Sequence, residues 1–181
     1  MATYGNDLRL KEIATGDEAG TWGTSTNTNL ELIGEALSYG TQDCFASDAD
    51  ATTTVADGVA DPARSMYFKV TSSATLTATR TLTIAPNTIS RVMWIENATT
   101  GSQSITISQG SGTTVTITNG AVKSVYLDGA GSGANVAAFD TANFEAVETN
   151  ILPNTDDNND LGSASKRWQD LYLSGGIYCG S

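Results

Sequence analysis

Gln103-Ser104-Ile105-Thr106-Ile107-Ser108-Gln109-Gly110-Ser111-Gly112-Thr113-Thr114-Val115-Thr116-Ile117-Thr118 alternates apolar and polar residues on either side of a glycine-rich centre. Successive strand side chains point to opposite faces, so Ile105 and Ile107 face the same side as each other, as do Val115 and Ile117. Gln109 to Gly112 supplies the reversal, and the stretch reads as a β-hairpin.

The same period of two extends outward from this hairpin. Strands are expected in Ser65 to Val70, Thr75 to Ile84, Ile89 to Asn97, Gln103 to Gln109, Thr113 to Thr118, Val122 to Asp128 and Asn135 to Phe139. Their spacing predicts a mainly β fold, a small antiparallel β-sandwich over residues 62–139. Val92, Met93, Trp94 and Ile95 are continuously apolar, which predicts a central strand covered on both faces, with Trp94 in the core. Thr75, Thr77, Thr79, Thr81 and Thr83 fall on one face of their stretch, a pattern that β-propensity and solubility explain without a ligand.

Before the sandwich lies an acidic segment, 1–61, with two basic and eleven acidic residues. Leu8, Leu10 and Ile13 form an extended arm, followed by a turn-rich stretch from Gly16 to Gly23 that carries Trp22. Ser25 to Asn29 offers capping side chains ahead of Leu30, Ile33 and Leu37, whose spacing predicts one short amphipathic helix ending near Gly40. Thr41 to Asp61 is small, acidic and loop-like, so the helix's apolar face is expected to meet the arm with Trp22 and another chain. Residues 140–181 carry two basic and seven acidic residues and read as a separate segment.

Composition limits the chemistry. The 181 residues contain no histidine, nine basic and twenty acidic side chains, and two cysteines. Without histidine, Ser-His-Asp and Cys-His pairs and His-ligated metals are excluded, and no cofactor or catalytic role is expected. The thin scatter of cations argues against nucleic-acid binding and against anionic membrane surfaces. No apolar stretch approaches the roughly 20 residues of a membrane helix. Cys44 and Cys179 lack metal or redox spacing, and MATYGNDLRLKE has no signal-peptide character, which predicts synthesis in a reducing cytoplasm.

Other motifs carry little. Reading a calcium loop from Asp156 puts Leu161 where glycine belongs and Arg167 where glutamate belongs, so Asp156, Asp157 and Asp160 read as a solvated turn. Ser163-Ala164-Ser165-Lys166 lacks the companion motifs of a serine-lysine hydrolase. Gly129 to Gly133 lacks phosphate-loop spacing, and the sequon Asn97-Ala98-Thr99 has no secretory context. Tyr4, Trp22, Trp94 and Trp168 offer stacking surface for sugars, but Trp22 and Trp168 read better as interface anchors.

Three stretches together resemble tail fibre proteins of tailed bacteriophages, of the marine and cyanobacterial type. Leu8 to Asp17, with Gly20-Thr21-Trp22-Gly23-Thr24 and Asn27-Thr28-Asn29-Leu30, looks like the virion-proximal start of such fibres. The hairpin Ile105 to Ile117 with Gly120, Val125, Asp128, Gly129 and Ala137-Ala138-Phe139 is similar to a small β-domain in the same proteins. Ile151-Leu152-Pro153, Asp160 to Ser163 and Lys166 to Gly176 look like a shaft module, whose bearers are typically trimers.

The resemblance implies a structural virion protein that supports host attachment. Residues 1–61 would be the virion-attachment arm, with Leu8, Leu10, Ile13, Trp22, Leu30 and Ile33 at the interface. Residues 140–181 would form a trimeric β shaft segment, with Trp168, Leu171, Tyr172 and Leu173 at the trimer interface. The implied partners are two further copies of the chain, tail proteins such as an adaptor, nozzle or baseplate, and a distal fibre protein. Such fibres usually continue into a receptor-binding tip or self-cleaving chaperone domain, which the sequence to Ser181 does not contain, so anchoring and spacing are expected. A capsid decoration or head fibre, and a carbohydrate-binding module, are the alternatives.

Overall fold

Alternating apolar residues need a second surface to bury against, and here the chain supplies it by passing back and forth between two sheets. The computed structural model describes residues 2–139 together with Ser165 and Gly175. Residues 2–139 lie within one compact unit, Met1–Thr141. The shaft segment and its expected interface residues Trp168, Leu171, Tyr172 and Leu173 lie outside the described residues.

After the arm come α1 (Trp22–Ala36), β1 (Tyr39–Asp43), β2 (Ala51–Thr54), a 3-10 turn (Pro62–Arg64), β3 (Tyr67–Thr71), β4 (Arg80–Ala85), β5 (Arg91–Asn97), β6 (Ile105–Ser108), β7 (Val115–Ile117), β8 (Val122–Leu127) and β9 (Val136–Ala138). One sheet has the order β1-β3-β5-β8-β9 and the other β2-β4-β6-β7. Through β6 the chain changes sheet after every strand, so in-sheet neighbours are one full winding apart and run parallel: β1 with β3, β3 with β5, β2 with β4, and β4 with β6. Then β7 turns back on β6, β8 returns antiparallel to β5, and β9 pairs with β8.

The fold is therefore mainly β with two facing sheets, as expected, but the sheets are mixed where an antiparallel sandwich was expected. The hairpin lies where its sequence puts it, with Ile105 opposite Ile117 and Ile107 opposite Val115. All seven expected strand stretches contain a strand. Between the sheets, Phe68, Val70, Met93, Ile95, Val125 and Leu127 meet Leu82, Ile84, Ile105, Ile107, Val115 and Ile117, all buried.

Two strands were not legible. β1 and β2 start the winding from a region read as loop, because Gly40 and Thr53 occupy inward places where bulky apolar residues normally announce a strand. Gly40 is required there: a Cβ would collide with the Pro62 carbonyl and the Ser65 hydroxyl. The Thr75 stretch becomes a strand only at Arg80, because Asp48 holds the preceding residues, accepting from the Thr77 amide at 3.3 Å and Arg80 Nε at 2.8 Å. Thr75 makes only an isolated bridge to Thr100.

Short carboxylates fasten most of the loops. Asp43 accepts from the amides of Phe45 and Ser73, Asp50 from Thr81, and Asp128 from Ala130 and Asn135, at 2.8–3.2 Å. Asn97 is buried, donating to the carbonyls of Gln103 and Ile117 and accepting from Thr99, so its sequon is spent inside the fold.

Arg64 is fully buried, with 0% exposure. Its guanidinium donates to the carbonyls of Leu8, Ala56 and Val59 and to Asp61, and Glu35 of α1 lies 3.3 Å from Nε. Its own carbonyl accepts from Arg91.

Two expectations follow. Arg64→Ala strands buried acceptors and should cost about 3–5 kcal/mol, measured by urea unfolding. The Arg80 guanidinium and Thr77 hydroxyl hold the Asp48 carboxyl well below the usual carboxylate range. A depressed folded pKa contributes stability that is complete above the ordinary aspartate value of about 3.9 and is lost as pH falls below it. Asp48→Asn should therefore be less stable than wild type at neutral pH, with the gap closing in acid; a gap independent of pH would refute the linkage.

Candidate functional site

The arm and α1 are assembled by side chains that imitate backbone. Asn29 accepts from the Lys11 amide at 3.0 Å and donates to the Lys11 carbonyl at 2.9 Å, pairing helix to arm as a neighbouring strand would. Lys11 Nζ bonds Glu18 and Ser25; its bond to Glu18 raises the lysine pKa, and the bonds from Lys11 and Ser25 lower that of Glu18. Arg9 pairs with Asp57 at 2.7 Å, and Asp7 accepts from the Ser90 amide at 2.8 Å, so the arm is stapled to the β body.

The helix begins at Trp22, earlier than its expected cap. Thr21 occupies the cap position without a side-chain cap hydrogen bond, and Ser25 to Asn29 lie inside the helix, where Ser25 and Asn29 hold the arm. Toward the body α1 buries Leu32 and Ala36. The face expected to meet the arm and another chain points away from the arm: Trp22 is 64% exposed, Leu30 60% and Leu37 67%, with Ile33 also exposed. At 3.6 residues per turn, Trp22, Leu30 and Ile33 fall within one narrow stripe, which Leu37, the residue that caps α1, continues.

Of the expected attachment residues, Trp22, Leu30 and Ile33 come together on this stripe. Ile13 is exposed on the arm, whereas Leu8 and Leu10 are half-buried, their carbonyls engaged by Arg64 and Asn6. Leu37 extends the stripe beyond the expected set; its place in the same helical repeat was the available signal.

A second uncovered surface lies on the five-stranded sheet. Parallel register puts Tyr39 beside Tyr67 and Tyr67 beside Trp94. The tyrosine rings stack at 5.4 Å. Trp94 is 43% exposed and Val92 is exposed as well, which corrects the expectation of a strand covered on both faces; β5 is central, but only its Met93 and Ile95 side meets the opposite sheet. Tyr67 donates to Glu96 at 2.9 Å, and Lys69 pairs with the same carboxylate at 3.0 Å, which depresses the Glu96 pKa. Tyr39 was missed because β1 itself was missed, and Tyr67, on the expected strand β3, because the neighbour it stacks on was.

The hollows near the arm are polar and already engaged. One of about 270 Å³ is lined by Lys11, Glu12, Asp17 and Glu18, and one of about 190 Å³ by Tyr4, Lys11, Ser25 and Asn29. Glu12 accepts from Thr3 and Asn6. Burial pushes the Cys44 thiol up to about 12, so it stays protonated at neutral pH. Among the described residues no three His, Cys, Asp or Glu side chains group as metal ligands, and no helix is long and apolar enough to cross a membrane. What these residues can do is present apolar contact surface on α1, and on the outer sheet face an aromatic row beside the Lys69–Glu96 ion pair.

No protein-family model, curated protein or solved structure matches the chain.

The position of Trp94 is open to measurement. With Trp22 and Trp168 replaced by Phe, Trp94 should emit as a water-exposed indole and be quenched readily by acrylamide; a blue-shifted, quencher-resistant band would return it to the core.

Proposed function

We propose that the chain is a non-enzymatic structural protein of a tailed-bacteriophage particle, the virion-proximal part of a tail fibre, made in the bacterial host cytoplasm. The observation that carries this reading is the apolar stripe on α1, exposed beside an arm fastened to a well-packed β body. Large apolar side chains gathered on one free face mark an interaction surface. Chemistry done by binding needs a rigid body with an uncovered patch, and that is how these residues are arranged. In this reading residues 1–61 attach to tail proteins such as an adaptor, nozzle or baseplate. Residues 140–181 begin a homotrimeric shaft that a distal fibre protein extends, and the whole supports host attachment.

A second reading, carbohydrate binding, is favoured by the row of Tyr39, Tyr67 and Trp94, since aromatic faces supply apolar area for sugar rings. Stacking of the two tyrosines on each other uses ring faces that a sugar would need, which favours assembly.

Immunogold electron microscopy of intact particles, with antibody against residues 62–139, tests the assignment. Label at the tail is expected, and Trp22→Ala should leave the β body folded while reducing incorporation into particles. Label over the head would make the protein a capsid decoration or head fibre, and absence from particles would leave the glycan reading, to be measured by titration with host polysaccharide.

A further inference from the structure

The two ends of the winding are finished differently. Where it stops, the sheets are stitched together along β7 and β9: the Val136 amide donates to the Thr113 carbonyl at 2.8 Å, the Thr113 amide to Asn135 Oδ1 at 2.9 Å, and the Ser111 amide to the Ser132 carbonyl at 2.8 Å. Where it starts, β1 and β2 meet through a side-chain bond from Thr53 Oγ1 to Gln42 Oε1 at 2.9 Å. Ser38 and Cys44 bond β3, and alternate residues of a parallel strand bond the same neighbour, so the peptide groups of Tyr39, Thr41 and Asp43 point off the free edge of β1. Val55 bonds Ala85 of β4, which turns those of Thr52 and Thr54 off the free edge of β2. All five side chains are exposed. Edge strands are usually blunted by proline, lysine, a bulge or a covering segment. β1 contains neither proline nor lysine and stays in unbroken register with β3 over all five residues.

We propose that the free edge of β1 is a strand-addition site, which takes an extended segment of another protein carrying an aromatic residue beside Tyr39 and a lysine or arginine beside Asp43. Strand addition draws its affinity from main-chain bonds and its specificity from alternate side chains. Those side chains would join the outer face at the levels of Tyr39, Thr41 and Asp43. The Tyr39 ring stacks on Tyr67 with one face, which leaves the other toward the open edge for an aromatic neighbour. Charge sets the second preference. Asp43 on β1 and Asp50 just before β2 flank the edge, and among the described residues no cation pairs with either. A second copy of the chain would bring the same two carboxylates and the same acidic segment to the contact, whereas a basic strand is attracted to it.

This edge belongs to the β body and shares no residue with the stripe on α1, so strand addition stands or falls apart from the attachment assigned to that stripe. It needs no phage particle.

Amide hydrogen exchange in the full chain, read residue by residue by NMR, tests it. The probes are the synthetic peptide acetyl-Thr-Thr-Tyr-Thr-Val-Thr-Lys-Thr-amide and its reversed sequence, which place tyrosine and lysine four residues apart for a parallel and an antiparallel approach. The amides of Tyr39, Thr41 and Asp43 should exchange quickly in the free chain and about tenfold more slowly with one of the two peptides at saturation. Glutamate in place of the peptide's lysine should weaken binding about tenfold at low salt. Thr41→Pro removes an outward N–H and leaves the ladder to β3 intact, so it should abolish the protection of Tyr39 and Asp43 while circular dichroism still reports the folded body. Slow exchange of the three amides in the free chain, which would mean that another segment of the chain or a second copy already covers the edge, overturns the proposal. So do absence of protection by both peptides, equal binding of the lysine and glutamate peptides, or undiminished protection in Thr41→Pro. If Thr41→Pro unfolds the body, the lysine and glutamate peptides on the unaltered chain decide alone.

Discussion

The guanidinium of Arg64 is where the separate parts of this molecule become one. It sits at the end of a single 3-10 turn, fully buried, and reaches the arm through Leu8, the loop before it through Ala56 and Val59, its own turn through Asp61, and α1 through Glu35. A buried cation of this kind is costly unless it is paired and bonded, and here Nη1 and Nη2 donate to three backbone carbonyls and Asp61, while Nε lies 3.3 Å from the Glu35 carboxylate without a hydrogen bond to it. Arg91, whose Nη2 donates to the Arg64 carbonyl, adds a second positive charge close by. Its pKa is lowered by burial and by Arg64, and Asp61 and Asp7 oppose that. The acidity of the N-terminal segment thus has a local purpose, since part of it neutralises a paired-arginine centre that holds the arm and the helix in place.

That centre fixes which surfaces remain free. The winding buries every inward strand residue between two sheets, so further apolar residues can only be on the outside. α1 is held by Leu32, Ala36, Asn29 and the Glu35 contact, which turns Trp22, Leu30, Ile33 and Leu37 away from the body. The outer face of the five-stranded sheet receives its aromatic row from parallel register alone, because one full winding returns Tyr39, Tyr67 and Trp94 to the same height. Neither surface requires a cavity. Both follow from where the polar staples leave no alternative.

The sequence made legible what depends on local pattern. The hairpin of β6 and β7 and the other expected strands come from period-two alternation, which each segment displays by itself. What escaped depends on partners distant in the chain. Parallel pairing is written in no single segment: Tyr67 lies beside Tyr39 because the twenty-seven residues between them lead the chain through β2 of the opposite sheet and back. β1 and β2 lack bulky inward residues, so their strand character comes from the ladder they join. Trp94 illustrates the limit of composition, since a continuous apolar run predicts burial on both faces only if a layer exists to cover the second. For the candidate site, the residues of the stripe were named from their helical spacing, but the side of α1 that docks was not, because Leu32 and Ala36 are an unremarkable pair and the bond between Asn29 and Lys11 has no signature.

The distribution of charge then bears on assembly. With twenty acidic residues against nine basic ones, close approach of identical copies is resisted unless carboxylates are kept away from the contact. Many of them already hold donors of their own chain: Asp43, Asp48, Asp50, Asp61 and Asp128 accept backbone amides, and Glu12, Glu18 and Glu96 accept side-chain donors. The helix stripe and its flanks carry none. Threonine and asparagine beside the apolar residues keep that stripe soluble in a single chain, yet give up little when it is covered, because neutral side chains lose far less hydration than carboxylates do. A surface built this way is tolerated in solution and stabilised by contact, a combination that an exposed glutamate within the stripe would destroy.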